Sequence, residues 1–184
     1  MPFKFTKLKI PDIVYIEPQI FGDSRGYFLE TYKYADFIEY GIGINFFQDN
    51  FSKSKKGVLR GLHYQINPHA QAKLVSCVKG KVLDIAVDLR ERSPYYGKWV
   101  KHILTSDKRD MLYIPKGFAH GFLALSEDTE FSYKVAGVYV PQFSRGIIWN
   151  DPDLGIDWGI DNPILSDKDK VLPRLKDAEC NFVY

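Results

Sequence analysis

Short strands dominate this chain. Runs of four to nine residues with β-branched or aromatic content recur along it, each cut by Gly, Pro, Asp or Asn, and that punctuation marks strands joined by turns rather than long helices. The clearest run is KLVSCVKGKVLDIAVDL, residues 73–89. It reads as two strands on either side of a tight turn at Lys79-Gly80, where Gly80 takes a positive φ without steric cost. In the second strand Leu83, Ile85 and Val87 share one face and Asp84, Ala86 and Asp88 the other, because successive side chains alternate. Alternation alone leaves Asp84 and Asp88 facing either an interior cavity or solvent. Further strands are predicted at 13–21, 27–31, 46–52, 58–65, 99–104, 110–114, 121–125 and 130–136. A short helix is predicted at 34–40, stopped by Gly41, and a helical turn after Ser166. So many short strands in 184 residues predict one domain, 1–184, built as a β-sandwich or barrel. In such a closed β structure inward polar residues line a ligand cavity.

Composition removes several classes of function. A formal net charge of +2 is too small to attract nucleic acid by charge alone. No apolar run approaches the roughly 18 residues that span a bilayer, so no membrane partner is expected. The opening MPFKFTKLKI alternates apolar residues with lysine and does not read as a signal peptide. Cys77 and Cys180 are the only cysteines, which make neither a disulfide framework nor a zinc knot and suit a reducing cytoplasm.

Four segments carry polar chemistry: FGDSRGYFLE (21–30), QDNFS (48–52), GVLRGLHYQ with the following AQAKLV (57–65 and 70–75), and PKGFAHGF (115–122), a Pro/Gly-shaped turn that delivers His120 onto a strand. GVLRGLHYQ is the most informative. Val58, Leu59, Leu62 and Tyr64 read as strand, yet Arg60 and His63 interrupt them with Gly61 between. Residues three apart on a regular strand point to opposite faces. For Arg60 and His63 to share a cavity, Gly61 must mark a bulge or sharp twist. Arg25, Arg60, Lys73, His63 and His120 together offer anion binding and proton transfer. A metal is not expected: the residue two after His63 is Gln65, His69 lies beside a proline, and no third Cys, His or carboxylate stands at ligand spacing.

These segments resemble the dTDP-4-dehydrorhamnose 3,5-epimerase family of the cupin superfamily. The matching stretches are GDSRGYFLE, QDNFSKSKKGVLRGLHYQ, AQAKLV, VLDIAVDLRERSP, YGKW, IPKGFAHGFLALSE, YKV, RGIIWNDPDLGIDW and LSDKD, in the family's order from about residue 21 to 169. The resemblance implies an all-β, cupin-type jelly roll with a few short helices. It also implies a homodimer, no cofactor, no metal, and a dTDP-linked 4-keto-6-deoxyhexose as substrate on the route to dTDP-L-rhamnose. C3 and C5 of that sugar flank the C4 ketone, so their hydrogens become acidic through an enolate. A base, a cation near O4 and an acid on the opposite ring face are required.

The resemblance also assigns roles. His63 corresponds to the base, and a free imidazole titrating near 6.5 suits neutral pH. Asp169 corresponds to the acid that orients it, Tyr133 to the proton donor, and Lys73 to the cation near O4. Arg60 corresponds to the pyrophosphate contact and Arg25 to another anion contact. Gln48, Asn50, Glu30, His120 and Lys168 fall on binding positions, Glu30 reaching a neighbouring subunit's site. Tyr139 falls on an aromatic position beside the base or sugar. The chain departs from the family pattern at Ser144, where an acidic residue is expected, at Ala136-Gly137-Val138, where a Thr-Asp-Tyr-like run is usual, and at Ser76, which replaces a basic residue. These departures bear on sugar or nucleotide specificity, a related single-carbon epimerase being the alternative.

Overall fold

The computed structural model describes residues 2–184. In chain order the strands are β1 (Phe3–Lys7), β2 (Val14–Pro18), β3 (Phe21–Asp23), β4 (Gly26–Phe28), β5 (Gln48–Ser54), β6 (Leu59–Gln65), β7 (Ala72–Lys79), β8 (Lys81–Asp88), β9 (Trp99–Thr105), β10 (Met111–Ile114), β11 (Phe118–Ala124), β12 (Thr129–Ala136) and β13 (Ser144–Gly146). Two short helices, α1 (Tyr34–Glu39) and α2 (Asp167–Lys170), complete the regular elements apart from two single 3₁₀ turns. The strands form a six-stranded sheet in the order β1-β2-β10-β7-β12-β5, a five-stranded sheet in the order β13-β6-β11-β8-β9, and the small hairpin β3-β4. The pairings are antiparallel, and the chain passes between the two large sheets at nearly every turn. This is the jelly-roll sandwich expected from the resemblance.

The turn at Lys79-Gly80 illustrates that crossing. Gly80 has φ of +81°, as its position demanded, but the turn does not close a hairpin. β7 pairs with β10 and β12, whereas β8 pairs with β11 and β9 on the opposite sheet. A two-strand run with a glycine between reveals the turn; only tertiary pairing decides which sheet each strand joins.

Between the sheets lies an apolar core. Val75, Cys77, Leu112 and Phe131 come from one wall, and Val82, Ala86, Phe118 and Phe122 from the other. Full burial of a side chain such as Phe131 contributes about 2 kcal/mol of transfer free energy. The outer face of the six-stranded sheet is covered by α1, whose Phe37 is wholly buried among Phe3, Val14, Ile16, Leu74 and Met111. β1 was not anticipated, although Phe3 and Phe5 alternate with Lys4 and it pairs along its length with β2. The outer face of the five-stranded sheet, Leu59, Leu62, Tyr64, Ile85 and Val87, is covered by Ile147, Leu154, Trp158 and Phe182 of the C-terminal stretch. That stretch has little regular structure, so side chains anchor it: Trp99 Nε1 donates to the Leu154 carbonyl at 2.8 Å, and the Asp151 carboxylate accepts from the Asp153 and Leu175 amides at 2.9 and 2.6 Å. Asp84 and Asp88, left open by alternation, are both wholly buried. Asp88 is held by Arg90 and Ser93, each at 2.7 Å.

Candidate active site

β6 carries the extra residue that Arg60 and His63 required. His63 pairs with His120 and Arg60 with Phe122, so three steps on β6 span two on β11. Gly61 sits at the irregularity with φ of +130°, and a Cβ there would lie 2.5 Å from the Gly121 Cα. Only glycine fits. With the alternation reset, Leu59 and Leu62 pack into the outer core, while Arg60 and His63 both line a cavity.

The cavity, of about 670 Å³, opens between the sheets beyond the end of the apolar core. One wall is the six-stranded sheet, contributing Gln48, Asn50 and Ser52 from β5, Lys73 from β7, and Phe131, Tyr133 and Val135 from β12. The other is the five-stranded sheet, contributing Arg60 and His63 from β6 and His120 and Phe122 from β11. Tyr139 and the segment 164–169 close its rim.

His63 is bound to Asp169, with Nε2 and Oδ1 2.6 Å apart. The two are 106 residues apart in sequence. The C-terminal chain runs beside the start of β6, with the Leu59 amide donating to the Ile164 carbonyl at 3.0 Å. Ser166 then caps α2, its hydroxyl accepting from the Asp169 amide at 3.1 Å, a typical N-cap arrangement. The side chain of Asp169 is 4% exposed and that of His63 37%, so the acid is sealed behind a ring that faces the cavity. Burial pushes the Asp169 carboxyl up, but the His63 hydrogen bond and charge, Ser166 and the Gly61 amide outweigh it and hold the group below its ordinary range. An ionised carboxylate can only accept. Nε2 of a neutral His63 therefore carries the proton, and Nδ1 keeps a basic lone pair.

Tyr133 lines the same cavity from the opposite sheet. Burial raises its phenol pKa and the Arg60 guanidinium counteracts, so it stays protonated at neutral pH. Lys73 lies on the same wall, its ammonium donating to the His63 carbonyl at 3.3 Å. Removal from water lowers its pKa to about 8, opposed by the charge of Asp84.

Arg60 is steadied by Ser54 Oγ at 3.1 Å and the Lys53 carbonyl at 3.2 Å. Gln48 donates to Asn50 Oδ1 at 2.8 Å. His120 Nε2 lies 2.9 Å from Asp84 Oδ2. Of the twelve residues singled out in the sequence, ten thus meet in one cavity: His63, Asp169, Tyr133, Lys73, Gln48, Asn50, Arg60, His120, Tyr139 and Lys168. Arg25 and Glu30 do not line it. Arg25 stands exposed on the β3-β4 hairpin, bound to Asp23 at 2.6 Å. Of the departures, Ser144 lines the cavity, Ser76 does not, and the Gly137 carbonyl accepts from Gln71 at 3.3 Å.

Sequence reasoning missed Ser52, Gln71 and Ser166 in the lining. Ser52 was legible, since it continues the alternation of Gln48 and Asn50. It also missed Gln65, which is buried and grips the loop that bears Tyr139: its amide donates to the His69 and Val138 carbonyls at 2.8 and 3.1 Å, and its Oε1 accepts from the Val140 amide at 2.7 Å. No local signal marks Gln65, because its partners lie on distant loops.

Residues 7–177 match the family model described as dTDP-4-dehydrorhamnose 3,5-epimerase. A dTDP-4-dehydrorhamnose 3,5-epimerase of Shigella flexneri is 50% identical over 174 residues, 94% of this chain and 96% of that protein. A solved structure of dTDP-6-deoxy-D-glucose-3,5-epimerase from Legionella pneumophila, in complex with dTDP-4-keto-L-rhamnose, superimposes with a TM-score of 0.92 at 44% identity, covering 95% of this chain and 94% of that one. A 3'-monoepimerase from Streptomyces bikiniensis, in complex with dTDP-quinovose, superimposes with a TM-score of 0.86 at 35% identity, covering 92% and 86%. The chain belongs to the dTDP-4-dehydrorhamnose 3,5-epimerase family.

Proposed function

We propose that this chain epimerises C3 and C5 of dTDP-4-dehydro-6-deoxy-D-glucose, giving dTDP-4-dehydro-L-rhamnose, with His63 as base and Tyr133 as acid. The observation that carries the assignment is the placement of an Asp-bound imidazole and a protonated phenol on opposite walls of one cavity, with a lysine ammonium beside them. His63 takes the proton from the carbon next to the ketone. The C–H electrons pass into the enolate, whose O4 charge meets the Lys73 ammonium. Asp169 fixes the ring and stabilises the imidazolium that forms, as in hydrolase triads. Tyr133 then gives its proton to the other face, the enolate electrons form the new C–H bond, and the carbon is inverted. The tyrosinate left behind faces the Arg60 guanidinium. Exchange of His63 and Tyr133 with water resets the site.

Arg60, Lys168, Gln48, Asn50 and His120 form the polar lining for the diphosphate and sugar, and Tyr139 supplies a ring for stacking. Arg25 and Glu30 lie outside their own chain's cavity, so a role for either in substrate binding requires a second copy. The homodimer reading is supported by exposed aromatics at the free edge of the six-stranded sheet and on the hairpin: Phe47 is 71%, Phe51 62% and Phe28 66% exposed. Unpaired edges and apolar surface of this kind favour a protein partner. The two unpaired thiols, Cys77 and Cys180, agree with a cytoplasmic setting. In deuterated water the product is expected to carry label at both C3 and C5. Label at one carbon alone overturns the double epimerisation in favour of a single-carbon enzyme.

A further inference from the structure

Gln65 ends β6, two residues after His63, and is buried without lining the cavity. Its Nε2 donates to the His69 carbonyl at 2.8 Å and to the Val138 carbonyl at 3.1 Å, and its Oε1 accepts from the Val140 amide at 2.7 Å. Both amide hydrogens are thereby used, and turning the group over would set its oxygen against two carbonyls. The grip falls on the residues either side of Tyr139. Gln71 extends it by one residue, its Nε2 donating to the Gly137 carbonyl at 3.3 Å. Tyr139 lines the cavity yet is 51% exposed, and Val138 is exposed as well. Little side-chain burial holds this loop, so hydrogen bonds to its backbone decide where it stands.

We propose that Gln65 is a positioning residue: by clamping Val138 and Val140 it presents the Tyr139 ring to the base of the bound nucleotide, and so sets nucleotide affinity without touching the nucleotide. The inference rests on the reading of the substrate as a thymidine diphosphate sugar. Without the Gln65 amide, three backbone groups lose their partner. Two of them belong to the exposed loop, which recovers hydrogen bonds from water by moving outward, and that movement carries Tyr139 off the rim. A ring fixed before binding costs less ordering on association, so releasing it weakens binding. His63 and Asp169 keep their own bond, so the loss falls on KM rather than on kcat.

Titration calorimetry with thymidine diphosphate and with inorganic pyrophosphate, on Gln65→Met, Tyr139→Ala and the double variant, tests this without reference to turnover. Tyr139→Ala is expected to weaken thymidine diphosphate about 20-fold, the loss of one stacked base. Gln65→Met should weaken it about tenfold alone and no more than about twofold when added to Tyr139→Ala, because the two act through one ring. Pyrophosphate has no base to stack and should bind every variant within about twofold of the unaltered protein. In turnover, Gln65→Met should raise KM about tenfold and leave kcat within about twofold. Equal weakening with and without Tyr139, or a pyrophosphate loss as large as that of the nucleotide, marks a general disturbance and overturns the proposal. Full nucleotide affinity in a Gln65→Met protein that labels C3 and C5 overturns the inference alone. Tyr139-dependent weakening in a protein that labels neither carbon upholds the inference and overturns the epimerase reading instead. Should Gln65→Met fail to fold, Gln65→Glu keeps the bulk and the acceptor for Val140 but has no donor at neutral pH. It is expected to weaken the nucleotide about fivefold, again only with Tyr139 present, and unaltered affinity contradicts the proposal.

Discussion

Two histidine–aspartate pairs sit side by side in this fold and differ in almost every respect except their chemistry. His63 and His120 are direct partners across β6 and β11. The first is bound to Asp169 at 2.6 Å, the second to Asp84 at 2.9 Å. His63 is 37% exposed to the cavity and His120 9%. Asp169 arrives from the end of the chain on a short capped helix, whereas Asp84 belongs to the neighbouring strand. The pairing alone therefore does not make a base. On the proposed reading a ring with a free lone pair and room for a sugar does, and the bulge at Gly61 is what brings His63 and Arg60 into one cavity.

The contrast can be broken experimentally, and the largest effect belongs to the exposed pair. His63→Asn is expected to lower kcat by about 10³-fold or more, with thymidine diphosphate binding by calorimetry largely retained. Asp169→Asn should cost about 10²-fold in kcat, because the ring loses its fixed tautomer. His120→Asn should act mainly on KM, raising it about fivefold, because that ring meets the substrate without taking its proton. A kcat loss in His120→Asn equal to that of His63→Asn would erase the distinction between the pairs. Gly61→Ala sharpens the comparison from the backbone side. Its positive φ and the approach to Gly121 should cost about 3 kcal/mol of stability by urea unfolding. If Gly61→Ala is instead as stable as the unaltered protein, the bulge is not glycine-dependent.

Much of this was legible before any coordinates. The spacing of Arg60 and His63 forced the break at Gly61, since no regular strand turns both to one side. The short runs announced a β-sandwich, and the helical turn expected after Ser166 is α2. What alternation could not supply was the inside. It separates Asp84 from Leu83 but does not say which side is wet, and the answer came from the C-terminal stretch covering the Leu83 face. It likewise shows a turn at Gly80 without showing that β7 and β8 join different sheets. The link between His63 and Asp169 has no local signature, because the intervening chain must fold first. It reached the sequence reading through family resemblance alone. Arg25 and Glu30 came by the same route, and in the isolated chain they stand away from the cavity.

The central claim is that base and acid approach one sugar ring from its two sides, and Tyr133→Phe in deuterated water tests it most directly. With His63 intact and the opposite donor gone, the substrate hydrogens should wash out while each carbon keeps its original configuration, because deuterium can return only from the side it left. Inverted product from Tyr133→Phe at the unaltered rate, or washout persisting in His63→Asn, would contradict the account.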